Sequence, residues 1–213
     1  MLVSYRHEFA YVQIPGVGIP AVADTLYCFC EQSAVENWQH RALKSIGFRS
    51  ENALRGLKQQ LSPKLFRSLF KFTVVRNPWD LLVAFYQRII DDSNNRWHRR
   101  VGHMPFCDFV EFASHHRIGA QLERISGHDG ELLVDYVARF ESIAEDCGEI
   151  QRRLGIVVPS GVIESRAADY RSFYNEELVA RVSRLYARDI DAFGYRFDSG
   201  ATRSQPAQLR KAA

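Results

Sequence analysis

The sequence has few cysteines, and their positions exclude several kinds of site. Only four occur among 213 residues, Cys28, Cys30, Cys107 and Cys147. Cys28 and Cys30 cannot readily form a disulfide within one helix, and the spacing of all four is not that of a zinc site. We therefore expect buried free thiols and no metal site.

The sequence also lacks long apolar runs and a strong excess of charge. No stretch approaches the roughly 20 apolar residues of a membrane-spanning helix, and the start, MLVSYRHEFAYVQIPG, lacks the apolar segment of a secretion signal. Lys and Arg total 28 against 25 Asp and Glu, a net charge of +3 that does not indicate a nucleic-acid partner. We expect a cytoplasmic protein without a membrane span.

The phosphate loop of P-loop kinases, G-x-x-x-x-G-K-[ST], is also absent, which argues against a kinase.

What the sequence does contain is an alternation of strand and helix patterns. This alternation predicts an α/β fold with a central parallel sheet flanked by helices. Strand patterns cover residues 9–14, 70–75 and 131–141, and helical patterns cover 21–30, 33–60, 79–90, 106–115, 142–154 and 176–193, with a short helix from Pro63.

Two polar segments lie outside these patterns. Residues 91–102 are rich in turn-forming residues and predict a mobile surface loop. Residues 198–213 are small, polar and basic, and they predict a disordered tail. The sequence therefore predicts one domain over residues 1–197.

One strand pattern runs into a helix pattern through Arg76, Asn77 and Pro78. Such a strand delivers an Arg beside a helix N-terminus, so a phosphate meets a guanidinium fork and free N–H groups together. Asp80 is expected to support the helix N-terminus. The segment FKFTVVRNPWDLLVAFYQR closely resembles the 3′-phosphate-binding element of carbohydrate-type sulfotransferases, FKF-x-x-VRNPWDRLVSAY.

Three later segments resemble the same family in order and spacing, so the resemblance extends nearly to Phe197. They are residues 131–141, 165–174 and 186–197. The resemblance implies a P-loop-like sulfotransferase fold. It also implies transfer of a sulfuryl group from 3′-phosphoadenosine 5′-phosphosulfate to a hydroxyl of a carbohydrate or small-molecule acceptor, with no metal.

The family also has a 5′-phosphosulfate loop, H-I-P-K-T-G-G-T-S, directly after its first strand. Residues 13–21, QIPGVGIPA, hold the matching position here. Backbone N–H groups of a glycine loop before a helix can hold an anion, and the alternative is a purely structural turn. We favour an anion cradle, although Pro20 donates no N–H. Its residues would be Gly16, Val17, Gly18 and Ile19.

The resemblance assigns further residues to the donor nucleotide and to catalysis. Arg76 would bind the 3′-phosphate, with Ala84 at the position of a Ser that helps to hold it. Arg166 and Tyr170 fall in a segment that would close over the nucleotide. His40 matches a His near the acceptor, where it would accept the hydroxyl proton, and the alternative is an ordinary, partly exposed His.

Several positions depart from the family pattern. Gly16 replaces a Lys that would neutralise the bridging oxygen, Ala84 replaces the Ser, and Leu81 replaces a frequent Arg. Charge-assisted hydrogen bonds are worth about 1.5–3 kcal/mol each, so their loss would weaken donor binding. The sequence thus supports an active sulfotransferase or, alternatively, an inactive relative that serves as a binding or interaction module. Basic residues that could replace the Lys are Arg6, Arg41 and Lys44.

Overall fold

The structure is a computed structural model that describes residues 1–17, 20–30, 53–157 and 169–198. These residues form two compact units that interleave along the chain. The single domain expected over residues 1–197 stays a prediction, and nearly all of the expected tail lies outside the described residues. Of the described residues, 1–17, 20–30, 53–75 and 123–157 form the first unit, and 76–122 and 169–198 form the second.

The first unit contains a four-stranded sheet in the order β1-β2-β3-β4. Its strands are Leu2–Ser4 (β1), Phe9–Val12 (β2), Phe70–Val75 (β3) and Tyr136–Arg139 (β4). β2, β3 and β4 run parallel, whereas β1 is antiparallel to β2. The expected parallel sheet is therefore confirmed except for β1. This strand of three residues was missed because it is too short to show a hydrophobic period.

Strand β3 is one of the two inner strands of this sheet and is buried along nearly its whole length. Phe72 is fully buried and stacks on Tyr11 and Phe70, with ring centroids 5.2 and 5.3 Å apart. On the other face, the Thr73 hydroxyl donates to the Val12 carbonyl at 2.7 Å. A strand of this kind carries a continuous apolar pattern because neighbours cover both of its edges and faces.

Lys71 is a buried cation near the start of β3. Its ammonium lies 2.6 Å from the Asp135 carboxylate and donates to the carbonyls of Leu69 at 2.6 Å and Phe66 at 3.1 Å. An ammonium has three N–H donors, so three acceptors satisfy it. The Asp135 carboxylate also accepts the Lys71 main-chain N–H at 2.9 Å, which fixes the start of β3 against the segment that leads into β4.

One helix of the first unit begins at a signal visible in the sequence. The predicted start at Pro63 is confirmed, and the Ser62 hydroxyl caps this helix by accepting the Leu65 N–H at 3.3 Å. The strand predicted over residues 131–141 is shorter in the structure, because only Tyr136–Arg139 of this segment pairs with β3 as strand β4. The helices are Pro20–Tyr27 (α1), Ala53–Gln60 (α2), Pro63–Ser68 (α3) and Ile143–Leu154 (α8), and Leu122–Ile125 (α7) begins in the second unit.

The second unit is helical, and it corrects two predictions. The segment 91–102, predicted as a loop, contains a short helix. The single helix predicted over 176–193 is broken at Tyr186, whose backbone leaves the helical region while its buried hydroxyl donates to the Ile118 carbonyl at 2.6 Å. The helices are Pro78–Asp91 (α4), His98–Val101 (α5), Phe106–His115 (α6), Glu176–Leu185 (α9) and Ala187–Phe193 (α10).

All four cysteines lie within the described residues, and none of them forms a disulfide. The expectation that they are buried holds for Cys147, which is 1% exposed, but it is wrong for Cys28 and Cys107, which are exposed. Burial raises the pKa of the Cys147 thiol to about 11. Thiol reactivity should therefore differ sharply between these positions.

We expect iodoacetamide at pH 8 to alkylate Cys28 and Cys107 rapidly and to spare Cys147 in the folded protein. With a pKa of about 11, roughly one Cys147 thiol in a thousand is ionised at that pH, so its rate should be at least about 100-fold lower. Peptide mass mapping after timed quenching measures the three rates. Denaturant should make them similar, and rapid labelling of Cys147 in the folded protein would contradict its burial.

Candidate functional site

The candidate 3′-phosphate element begins where β3 passes into α4. Asn77 caps this helix: its side-chain Oδ1 accepts the Trp79 N–H at 3.1 Å, and its carbonyl accepts the Leu81 N–H at 2.8 Å. Pro78 occupies the first helical position, where an N–H would have no helical acceptor. The local sequence Arg76-Asn77-Pro78 therefore determines both the end of the strand and the start of the helix.

The start of α4 is also bonded to the C-terminal part of the second unit. The Asn77 Nδ2 donates to the Arg196 carbonyl at 3.1 Å, and the Tyr174 hydroxyl donates to the Trp79 carbonyl at 2.9 Å. Burial raises the pKa of Tyr174, so its hydroxyl keeps its proton throughout the neutral range. These bonds hold the cap and first turn of α4 in place.

The guanidinium of Arg76 forms a two-bond ion pair with the Asp80 carboxylate. Arg76 Nε and Nη2 lie 2.7 and 2.9 Å from the two carboxylate oxygens, and the side chains are only 10% and 11% exposed. Asp80 was expected to support the helix N-terminus, and its ion pair with Arg76 was not predicted. The spacing of four residues was the available signal, although Arg76 precedes the helix, so the rule for pairs on one helix face does not apply to it directly.

A buried glutamine contacts the main chain of Arg76 at both of its polar groups. The Arg76 N–H donates to Gln121 Oε1 at 2.9 Å, and Gln121 Nε2 donates to the Arg76 carbonyl at 2.7 Å. Gln121 is fully buried. The pairing of β3 with β4 ends at Val75, and at the next residue Gln121 supplies the hydrogen-bond partners of the main chain.

Asp189, on α10, holds the main chain at Gln121. One carboxylate oxygen accepts the Gln121 N–H at 2.8 Å, and the other accepts the Leu122 N–H at 2.9 Å. Asp189 is 5% exposed, and both bonds are charge-assisted. No sequence pattern indicated Gln121 or Asp189, because they are 45 and 113 residues beyond Arg76 and form no local pattern with it.

The candidate 5′-phosphosulfate loop begins with a tight turn in the first unit. The Val17 N–H donates to the Ile14 carbonyl at 3.3 Å, Pro15 stands second, and Gly16 stands third with φ 82°. Proline followed by a residue with positive φ is the pattern of a type II turn. Residues 14–17 thus form a structural turn. The anion cradle of Gly16 to Ile19 stays a prediction.

The family comparison agrees with this strand, turn and helix arrangement. The family model described as "Sulfotransferase family" matches residues 1–196 of the 213. The chain belongs to the sulfotransferase family. No curated protein and no solved structure matches it. Membership confirms the α/β sulfotransferase fold and supports sulfotransferase activity in general, with a hydroxyl-bearing acceptor and the sulfuryl donor that the family generally uses, 3′-phosphoadenosine 5′-phosphosulfate.

Several predicted site residues of this sulfotransferase-family chain lie among the described residues, and they belong to different units. Gly16 and Val17 are in the first unit, whereas Arg76, Ala84 and Tyr170 are in the second. Ala84 is half-buried on α4. The Tyr170 ring is 8% exposed, packs edge-on against Phe197 and donates its hydroxyl to the Phe197 carbonyl. The predicted residues that lie outside the described residues are Gly18, Ile19, His40 and Arg166.

Among the basic residues that could replace the family Lys, only Arg6 is described, and its position is unsuitable. Arg6 lies in the turn that leads into β2, whereas Gly16 follows the other end of that strand. The four residues of β2 alone span about 13 Å at roughly 3.3 Å per residue. Arg41 and Lys44 lie outside the described residues.

Two other kinds of feature, a metal site and a membrane-spanning helix, are not found in the described parts of the chain. No group of three or more His, Cys, Asp and Glu side chains among residues 1–17, 20–30, 53–157 and 169–198 is placed to hold a metal ion. No helix in these described parts of the chain is long and apolar enough to span a membrane.

The Arg76–Asp80 pair predicts unequal effects of two matched alanine substitutions. Asp80 and Asp108 both occupy the third position of a helix, but Asp108 is exposed. Asp80→Ala should lower the free energy of unfolding by about 3–5 kcal/mol, because it leaves the buried Arg76 cation without this partner. Asp108→Ala removes an exposed helix-end charge, worth about 0.3–1 kcal/mol, together with a weak 3.5 Å contact from the Cys107 thiol. Urea unfolding measures both, and equal losses would contradict the dominance of the ion pair.

Proposed function

We propose that the chain transfers a sulfuryl group from 3′-phosphoadenosine 5′-phosphosulfate to a hydroxyl of a carbohydrate or small-molecule acceptor. The observation that carries the proposal is the placement of Arg76, which follows β3 directly and precedes the capped start of α4. Family membership over residues 1–196 supports the same activity.

In this proposal Arg76 binds the 3′-phosphate of the donor. A guanidinium has five N–H donors, and the pair with Asp80 uses two of them while it fixes the plane of the group. An Arg that is already oriented loses less side-chain entropy when it binds an anion. The capped N-terminus of α4 adds the favourable end of a 14-residue helix dipole.

The residues after β2 would bind the 5′-phosphosulfate, and His40 would act as the base. The acceptor oxygen attacks sulfur and gives its proton to His40, while the bond between sulfur and the bridging oxygen breaks and its electron pair stays on the departing 3′-phosphoadenosine 5′-phosphate. Stabilising the negative charge on that oxygen is the main task of the site. Backbone N–H groups of the loop, with Arg41 or Lys44, would do so here.

A second candidate function is nucleotide or partner binding without sulfuryl transfer, and the turn at Gly16 favours it. Gly16 has φ 82°, a conformation that costs other L-residues roughly 1–2 kcal/mol. The backbone at the position of the family Lys thus has a conformation that favours glycine, and the substitution Gly16→Lys alone would strain the turn. An assay for release of 3′-phosphoadenosine 5′-phosphate from 3′-phosphoadenosine 5′-phosphosulfate separates the two functions. A sulfotransferase releases this product, whereas a binding protein does not.

Calorimetric titration with 3′-phosphoadenosine 5′-phosphate tests the role of Arg76. Removing Arg76 alone would strand the buried Asp80 carboxylate, so the informative variant is the double substitution Arg76→Gln with Asp80→Asn. We expect the wild-type chain to bind in the micromolar range and the double variant to bind at least about 100-fold more weakly, the equivalent of one bidentate charged contact.

Two controls make this result specific. Arg88→Gln changes an exposed Arg near the other end of α4 and should leave the affinity unchanged. Adenosine 5′-phosphate lacks the 3′-phosphate, so its affinity should not differ between the wild type and the double variant. No wild-type binding at millimolar nucleotide would refute donor binding, and full affinity in the double variant would refute the assignment of Arg76.

The loop assignment is tested by two glycines with the same positive φ. Gly16 and Gly130 both have φ 82°, so alanine at either position should destabilise the fold by about 1–2 kcal/mol. Gly16→Ala should also weaken binding of 3′-phosphoadenosine 5′-phosphate at least about fivefold, because it shifts the amides that would meet the 5′-phosphate. Gly130→Ala should not. Equal nucleotide affinities in the two variants would exclude the loop from the site.

A further inference from the structure

Gln121 connects the proposed phosphate-binding Arg to the rest of the second unit. Its amide exchanges two hydrogen bonds, of 2.9 and 2.7 Å, with the N–H and the carbonyl of one residue, Arg76. A side-chain amide that forms both bonds reproduces the contact that a neighbouring strand would make. The main chain at Arg76 is therefore fixed although strand pairing has ended.

Arg76 is held at two separate points as a result. Gln121 fixes its main chain, and Asp80 fixes the far end of its side chain. Between these points lie only the rotatable bonds of the side chain. A displacement of the main chain would move the guanidinium relative to a bound phosphate, and charged contacts depend steeply on such geometry.

Gln121 is itself held by a charged group. The Asp189 carboxylate accepts the N–H groups of Gln121 and Leu122, at 2.8 and 2.9 Å. Since Gln121 and Asp189 are both buried, water does not compete for these bonds. A chain of buried polar contacts thus runs from α10 to Arg76.

We infer that Gln121 is a positioning residue for recognition of the 3′-phosphate by Arg76, with Asp189 as its support. This inference rests on the proposed function. A Gln that served stability alone would change the unfolding free energy when substituted and leave the affinity of the folded protein for the nucleotide unchanged.

The substitution Gln121→Glu separates these roles through pH. A neutral carboxylic acid can still accept from the Arg76 N–H and donate to its carbonyl, whereas a carboxylate has no donor and would repel that carbonyl. Charged groups at this position include Asp189 and the Arg76–Asp80 pair, and they are the same in both proteins. Burial and these two carboxylates favour the neutral form of the introduced group at low pH.

We expect the affinity of Gln121→Glu for 3′-phosphoadenosine 5′-phosphate to be within about threefold of wild type at pH 5 and at least about tenfold weaker at pH 8. The ratio of the two dissociation constants at each pH cancels ionisation of the nucleotide. Gln151→Glu, on the exposed face of α8, is the matched control and should give a ratio near one at both pH values. Circular dichroism at each pH measures the folded fraction.

A second variant covers the case in which Gln121→Glu unfolds at pH 8. Asp189→Asn keeps one carbonyl acceptor and loses the other, so it should loosen Gln121 and weaken nucleotide binding by about threefold to tenfold at pH 8 in the folded protein. Infrared absorption of the protonated carboxyl group measures whether the introduced Glu is ionised. Full affinity in folded Asp189→Asn at pH 8, or in folded Gln121→Glu at a pH where the introduced carboxyl is ionised, overturns the positioning role while wild-type binding upholds the proposed function. Failure of the wild type to bind overturns both.

Discussion

The N–H and carbonyl of Arg76 must find hydrogen-bond partners just beyond the end of a buried strand. Leaving such groups unpaired in the interior costs about 1–3 kcal/mol each. The pairing of β3 ends at Val75, and Gln121 supplies one acceptor and one donor at the next residue. This solution requires a fully buried Gln, and Asp189 holds the main chain of that Gln. The last helix of the described chain, α10, is thereby tied to the residue on which donor recognition is proposed to depend.

The same requirement governs the two buried cations near the ends of β3. Lys71 has three oxygen acceptors around its ammonium, and Arg76 has a carboxylate on its guanidinium edge. Buried charges persist only when paired and hydrogen-bonded, so both side chains are fixed in place. For Arg76 this bears on the proposed role in donor binding. A fixed guanidinium presents its donors in one direction, which suits recognition of a planar or tetrahedral anion better than a flexible surface cation would.

The loop after β2 uses a different physical device. Family members place a Lys where this chain has Gly16, and here the chain turns through Pro15 and Gly16 with φ 82° at the glycine. This chain thus has a glycine with positive φ at the position where the family pattern has a charged Lys side chain. Backbone N–H groups can bind anions in such turns, but they carry partial rather than full charges. In the proposed function, binding of the nucleotide and stabilisation of its departing oxygen would therefore be separable properties.

The sequence alone determined those elements whose signals act over a few residues. The helix Phe106–His115 and the strand Phe70–Val75 have their predicted bounds, and the family resemblance identified Arg76 as the candidate phosphate ligand. Apolar period, proline and cap residues are local causes, so they can be read locally. Only the tertiary structure revealed the break at Tyr186 and the two contacts that fix Arg76 through Gln121 and Asp80. The break and the Gln121 contact depend on hydrogen-bond partners 68 and 45 residues away, and such distant pairs leave no periodic trace in one sequence. The Asp80 pair had the right spacing, but burial made it the dominant contact, and burial is a property of the folded chain.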